Sequence, residues 1–232
     1  MMEAMSALSS REFRLKLLKR ARRVEASLAD DQLAALESYF RLLVRWNSRI
    51  NLTGLKLDPL DERSLDRLLI EPLSAVRFLP PGPVRLMDIG SGSGSPAVPL
   101  ALGHGRTHLT MVESKTRKAV FLMEVVRELS LPATVETARF EQLLARPDLH
   151  EAVDVLSIRA VRVESRTLLG LQAFVKPEGR VFWFRGSGPM RTGDFPPPMR
   201  WVATQPLVDS LNSRLVILVK EPVGRASFHV EH

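Results

Sequence analysis

Cysteine is missing from all 232 residues. Its absence excludes disulfide frameworks, thiolate zinc sites, iron–sulfur clusters and thiol nucleophiles together, so any chemistry must proceed without attacking sulfur, and no metal site is expected. No stretch approaches the roughly 20 consecutive apolar residues a membrane span needs. The basic opening also lacks the apolar run and small-residue cleavage site of a secretory signal. The expectation is a cytoplasmic monomer with no membrane association. Internal repeats and low-complexity tracts are absent too, apart from the run Pro196-Pro197-Pro198. With 45% hydrophobic and 25% charged residues, the chain has the balance of an ordinary folded protein rather than a disordered one.

Acidic charge is locally scarce. The formal net charge is +7, and lysine and arginine attract phosphate polymers by releasing counterions. The excess gathers in the first helical segment, where Arg11, Arg14, Lys16, Lys19, Arg20, Arg22 and Arg23 face the single acid Glu12. These seven are candidate RNA-binding residues. A solvated helix face would carry the same charges, and an arginine-rich coding bias would leave a generally basic surface, so charge alone does not decide.

Apolar spacing is helical from Ser10 to about Phe78, with Phe13, Leu17, Leu18 and Val24, then Leu33, Leu36, Tyr39, Phe40, Leu43 and Val44. Asp30 or Asp31 is expected to cap the second helix. Pro80, Pro81, Gly82 and Pro83 break this pattern. They divide a basic helical region, 1–80, from a second domain, 81–232. Strand and helix then alternate: Val84 to Gly90, Ala97 to Leu102, His108 to Ser114, Lys115 to Leu129, Ala133 to Ala138, Glu141 to Ala145, Val153 to Ile158, Glu164 to Phe174 and Gly179 to Phe184. Such alternation specifies a mostly parallel sheet covered on both faces. Trp201 to Val208 and Arg214 to Lys220 follow with no helix between them, which predicts a terminal antiparallel hairpin and a seven-stranded sheet.

The segment Leu86-Met87-Asp88-Ile89-Gly90-Ser91-Gly92-Ser93-Gly94-Ser95-Pro96 puts an acid at a strand end, then glycines at alternate positions, then a helix. Only backbone without side chains turns so tightly beneath a ligand. Glu113 stands 19 residues after Gly94, at the next strand end, where a carboxylate can accept both hydroxyls of a ribose. Together these residues describe an adenosine site. A dinucleotide site brings a helix N-terminus against a diphosphate, with its third glycine one residue later than here. Asp88 would repel that diphosphate but suits a cationic sulfonium, so S-adenosylmethionine fits better than a nicotinamide. Lack of cysteine argues against attack by pyrimidine carbon. Leu156-Ser157-Ile158-Arg159-Ala160 stands where exocyclic adenine methylation goes with an Asn-Pro-Pro-aromatic turn. Guanine N7 attacks a methyl group without losing a proton, so a site with no obvious base is consistent with it.

Trp46-Asn47, Asn51-Leu52-Thr53, Asp88 through Pro99 with Pro96, Glu113-Ser114, Arg117-Lys118 before Phe121-Leu122, Arg139 with Glu141, and Asp154 with Arg159-Ala160 form a recognisable set. In these residues, from about Leu36 to Gly186, the chain resembles the glucose-inhibited division protein B family, bacterial methyltransferases of guanine N7 in 16S rRNA. The resemblance implies a Rossmann-like class I methyltransferase acting on 16S rRNA or the small-subunit particle. It implies that Gly90, Ser95, Phe140, Glu141 and Arg159 line the cofactor pocket with Asp88, Gly92, Gly94 and Glu113. Arg139, Arg159 and Arg185 become candidates for positioning the substrate. An ion pair with Glu141, Asp154 or a helix end would equally explain Arg139 and Arg159, and a structural turn would explain Asn51 and Thr53.

The chain departs from the family pattern in places. Arg67-Leu68-Leu69-Ile70-Glu71-Pro72 replaces the usual Arg-His-x-x-Asp-Ser, Ser95 replaces a large apolar residue, and Arg185 replaces lysine. These departures keep open a different RNA or small-molecule substrate, or a cofactor-binding ribosome-assembly factor without turnover. The ending Val230-Glu231-His232 reads equally as natural sequence or as the stub of a tag.

Overall fold

The computed structural model describes residues 9–159, 165–188 and 195–222. Ala160, Glu164 and the ending 230–232 lie outside the described residues. Helix α1 (Ser10–Arg23) starts from a capping box in which Ser9 and Glu12 satisfy each other's backbone N–H groups. It buries Phe13 and Leu17 against helix α2 (Asp30–Asn47), where the rings of Phe13 and Phe40 stack with centroids 5.1 Å apart. The cap of α2 differs from expectation. Asp30 is already the first helical residue and Ala29 holds the cap position; the Gln32 side chain accepts the Ala29 N–H, and Asp31 accepts that of Gln32.

Helical spacing does not continue unbroken to Phe78. Asn47 Oδ1 ends the run by accepting the backbone N–H groups of Leu52 and Thr53, each at 2.9 Å, and Thr53 Oγ1 accepts that of Leu55. These are structural turn roles for the Asn-Leu-Thr segment. Helix resumes at α3 (Glu62–Leu65), capped by Asp61, passes through a π-helical turn at Asp66–Ile70, and ends as α4 (Glu71–Ala75).

Beyond the Pro80–Pro83 break stand β1 (Val84–Ile89), α5 (Ala97–His104), β2 (Thr107–Val112), α6 (Thr116–Glu128), β3 (Ala133–Glu136), α7 (Phe140–Leu143) and β4 (Val153–Arg159). After them come α8 (Ser165–Leu171), β5 (Val175–Gly186), β6 (Met199–Pro206) and β7 (Ser213–Lys220). The seven strands run in the order β3-β2-β1-β4-β5-β7-β6. Strands β1 to β5 pair in parallel, and β7 inserts antiparallel between β5 and β6. The expected parallel sheet and terminal hairpin are both present. The hairpin turns through Asn212, a residue that tolerates the left-handed conformation it adopts here, φ 48°.

Alternation along each strand builds two apolar layers. Val84 and Leu86 of β1 join Leu109, Met111 and Val155 in a cluster that continues into Phe13, Leu36, Tyr39 and Leu69, so the helices before Pro80 cover one face of the sheet. Met87 and Ile89 point the other way, toward Leu143, Leu168 and Phe174. Period two puts Asp88 on the face of Val84 and Leu86, beneath those helices. No helix among the described residues is long and apolar enough to cross a membrane.

Candidate functional site

The strand order reverses between β1 and β4, one leading outward to β2 and β3 and the other to β5. Connections leaving these two carboxyl ends diverge to opposite sides and open a crevice between them, the place where open α/β sheets bind ligands. The glycine segment lies there. Gly90, Gly92 and Gly94 have φ of 73°, 51° and 85°, all left-handed, which explains their alternate spacing. A Cβ on Gly94 would come within 3.2 Å of Val98, 3.3 Å of Tyr39 and 3.4 Å of Leu122, so this glycine also lets three helices close around the bend.

Side chains from neighbouring strand ends fix the bend. Buried Glu113 spans it, with one carboxylate oxygen accepting the Gly92 N–H at 2.9 Å and the other the Lys115 N–H at 2.8 Å. A carboxylate offers about four lone-pair positions, so each oxygen keeps capacity for a hydroxyl donor. Tyr39 reaches from α2 and donates its hydroxyl to the Ser93 carbonyl at 2.8 Å.

Asp88 is 1% exposed. Ser157, its register partner on β4, donates a hydrogen bond to Oδ1, while Oδ2 has no partner among the described residues. Burial pushes the carboxyl up to about 6, although the Ser157 hydrogen bond and the charge of Arg159 act against the shift. A buried acceptor without a donor is costly, and a cationic ligand entering the crevice would relieve it.

A cleft of about 320 Å³ opens over the bend, lined by Gly90–Ser93 and Ser95, by Leu52, Thr53 and Leu55, and by Arg67, Leu68, Lys118 and Arg159. Among the described residues its ionisable lining is entirely cationic. Arg159 ends β4 with its side chain 9% exposed; Nη1 donates to Ser95 Oγ and to the Arg67 carbonyl, both at 2.9 Å, and the guanidinium lies over the Phe184 ring. Glu71, fully buried, accepts from Arg67 Nη1 on both carboxylate oxygens and makes a 3.3 Å ion pair with Arg159 Nη2. Burial lowers the Arg159 pKa, and the Glu71 charge opposes that shift.

The other candidates separate. Arg139, Phe140 and Glu141 sit beyond the cleft lining, at the carboxyl end of β3, where Arg139 and Glu141 are exposed and Phe140 is half-buried in the second apolar layer. Arg185 follows Phe184 on β5 and so faces the opposite side of the sheet from Arg159, over the Trp183 ring. In the basic helix, Arg11, Lys16, Lys19, Arg22 and Arg23 are exposed. Arg14 pairs with Glu37 at 2.7 Å. Arg20 is buried, pairing with Asp66 through two nitrogens and with Glu62 through a third.

The sequence alone does not single out Tyr39 as a loop anchor, nor Ser157 and Lys118. A polar residue at a buried position of β4, in register with Asp88, is the signal that finds Ser157. Among the described residues, no group of three or more His, Asp or Glu side chains could hold a metal ion.

Residues 32–191 match the family model described as rRNA small subunit methyltransferase G. The chain belongs to this family. A ribosomal RNA small subunit methyltransferase G of Acidiphilium cryptum is 34% identical over 167 residues, 72% of this chain and 74% of the relative. One of Xylella fastidiosa (strain 9a5c) is 35% identical over 175 residues, 74% of this chain and 78% of the relative. Among solved structures, an S-adenosylmethionine-dependent methyltransferase of Aquifex aeolicus superimposes with a TM-score of 0.53 at 14% identity, covering 68% of this chain and 93% of that one. This family member is an rRNA methyltransferase whose cofactor is S-adenosylmethionine. Its residues fit that cofactor, because a cleft of about 320 Å³ lies over the glycine bend, Glu113 retains acceptor capacity and Asp88 offers an unpartnered buried oxygen.

Proposed function

We propose that this enzyme, acting in the cytoplasm as a monomer, transfers a methyl group to guanine N7 in 16S rRNA of the small ribosomal subunit. The carrying observation is the glycine bend at the β1/β4 switch point, closed by Glu113 and floored by the unpartnered oxygen of Asp88. When bound, S-adenosylmethionine supplies an electrophilic methyl group on a sulfonium. In this reading Glu113 accepts the ribose hydroxyls, Gly90, Gly92 and Gly94 admit the nucleoside, and Asp88 balances positive charge from below. Phe140 and Glu141 flank the adenine at the carboxyl end of β3, with Arg139 and Arg185 at the rim toward RNA.

The cleft lining favours N7. Arg67, Lys118 and Arg159 cannot serve as bases while charged, and among the described residues neither a carboxylate nor a histidine lines the cleft. An acceptor that must lose a proton would find no base among these lining side chains, whereas the N7 lone pair needs only alignment. Residues 81–232 supply this chemistry. Region 1–80 roofs the cleft and presents α1 to RNA, its Arg20 joined through Asp66 to Ser210 beside the β6–β7 hairpin.

Transfer of tritium from labelled S-adenosylmethionine to deproteinised small-subunit rRNA, followed by nucleoside mass mapping, tests the reading; the expected product is 7-methylguanosine. No incorporation while cofactor still binds overturns it and favours an assembly factor. Reversing the exposed charges Arg11, Lys16 and Lys19 to glutamate is expected to weaken rRNA binding. It should also flatten the salt dependence, by roughly one unit of slope for each phosphate no longer neutralised, with cofactor affinity and melting temperature unchanged. An unchanged slope in a filter-binding titration removes α1 from the interface.

A further inference from the structure

We infer that Glu71, Pro72 and Ser95 form one unit that fixes the Arg159 guanidinium in the cleft, so that Ser95 is a positioning residue for methyl transfer. This rests on the methyltransferase reading above.

The helix that runs through α3, the π turn and α4 supplies the acceptors of this unit. In the π turn the Glu71 N–H bonds the Asp66 carbonyl, one residue further back than in an α-helix. The Arg67 carbonyl thereby loses its ordinary i+4 donor, and its i+5 donor would be residue 72. The Leu68 carbonyl also looks to residue 72 for its i+4 donor. Residue 72 is proline, which has no N–H. Two adjacent carbonyls are thus released toward the cleft. Ser95 Oγ donates to the Leu68 carbonyl at 2.7 Å and accepts from Arg159 Nη1 at 2.9 Å, while the same Nη1 donates to the Arg67 carbonyl at 2.9 Å. Glu71 holds the other edge of the guanidinium as an ion pair with Nη2 at 3.3 Å, and Phe184 lies under its plane.

Nη1 of Arg159 is therefore satisfied twice through groups that proline releases, whereas Nε and Nη2 are buried without a hydrogen-bond partner among the described residues. A buried guanidinium with unfilled donors beside a cleft is set to receive an acceptor from a ligand. Its orientation depends on Ser95. Removing the serine hydroxyl takes the side-chain donor from the Leu68 carbonyl and one acceptor from Arg159, and frees the guanidinium to turn about Glu71. Glu71 and Ser95 thus meet at Arg159 within one hydrogen-bonded cluster, beside the carbonyls that Pro72 cannot bond.

The test is a double-mutant cycle on methyl transfer to deproteinised small-subunit rRNA, with kcat and KM measured separately and S-adenosylhomocysteine affinity measured by calorimetry. Ser95→Ala is expected to lower kcat about tenfold in the wild-type background, with cofactor-product affinity changed less than about twofold. In an Arg159→Lys background, where a point charge cannot make the forked contacts, the same substitution is expected to change kcat less than about twofold. An equal loss in both backgrounds, or no loss in the wild type, overturns the inference and leaves the methyltransferase reading intact. A folded wild-type chain that binds cofactor and transfers no methyl group overturns both. Should Ser95→Ala fail to fold, Pro72→Ser is the second variant. By restoring a competing N–H to the Leu68 carbonyl it is expected to lower kcat in the wild-type background alone, and an effect independent of Arg159 overturns the inference.

Discussion

Replacing Asp88 by asparagine is expected to stabilise the ligand-free enzyme while abolishing most of its cofactor affinity. The carboxyl is 1% exposed and burial raises it from an ordinary value near 3.8 to about 6. Folding must therefore ionise a buried group at neutral pH. That rise corresponds to about 3 kcal/mol of stability that is present below pH 4, where the acid is protonated in both states, and is lost as pH rises through about 6. Asparagine can still accept from Ser157, and it carries no charge to desolvate. Its amide nitrogen inherits the unpartnered position of Oδ2, which removes part of the gain. A rise in melting temperature of roughly 5 °C at pH 7.5, shrinking toward zero near pH 4, is the expected result of thermal melts across that range. Calorimetry at pH 7.5 should show S-adenosylmethionine binding at least about 100-fold weaker, a loss of about 2.7 kcal/mol, because the cation loses its buried counter-charge. Unchanged affinity would show that Asp88 is a scaffold residue.

Arg20→Ala is expected to be the most destabilising alanine substitution among the basic residues of α1. Two of its guanidinium nitrogens bond the buried carboxylate of Asp66, which also accepts from Ser210, and Glu62 takes the third. Alanine would strand Asp66 as an unpaired charge in an apolar layer, a cost of about 3–5 kcal/mol, or roughly 10 °C in melting temperature for a chain of this size. Adding Asp66→Leu should recover much of that loss, since a well-packed apolar pair often matches a buried ion pair. Alanine at exposed Arg11, Lys19 or Arg22 should stay within about 0.5 kcal/mol of wild type. An Arg20→Ala protein that melts within about 2 °C of wild type, roughly the precision of such comparisons, would contradict this assignment.

These two expectations mark where the sequence was legible and where it was not. The order of strands and helices followed from periods of two and 3.6, and the terminal hairpin from two apolar runs with no helix between them. The crevice could be read because glycine at alternate positions, between carboxylates at successive strand ends, has few other physical uses. What stayed hidden were contacts between segments distant in the chain. Arg20 and Arg14 look like their exposed neighbours until Asp66 and Glu37 are placed opposite them. Nothing local distinguishes Lys16, which is exposed, from Arg20, which is buried four residues on, except the helical face that Phe13 and Leu17 share with Arg20.

Glu71 presents the same difficulty. As a sequence departure it is only a longer acid, but in the fold its extra methylene belongs to a carboxylate reaching both Arg67 and Arg159. Arg185 looks equivalent to Arg159 in the sequence because both close apolar strands; β-sheet alternation sends them to opposite faces.

Diffraction from crystals grown with S-adenosylhomocysteine would decide whether the glycine bend is the cofactor seat. The expected density is a nucleoside over Gly90 to Gly94, with its ribose hydroxyls on the Glu113 carboxylate. An empty crevice at saturating ligand, or a nucleoside bound elsewhere with Glu113 still engaged only by the Gly92 and Lys115 backbone, would contradict it.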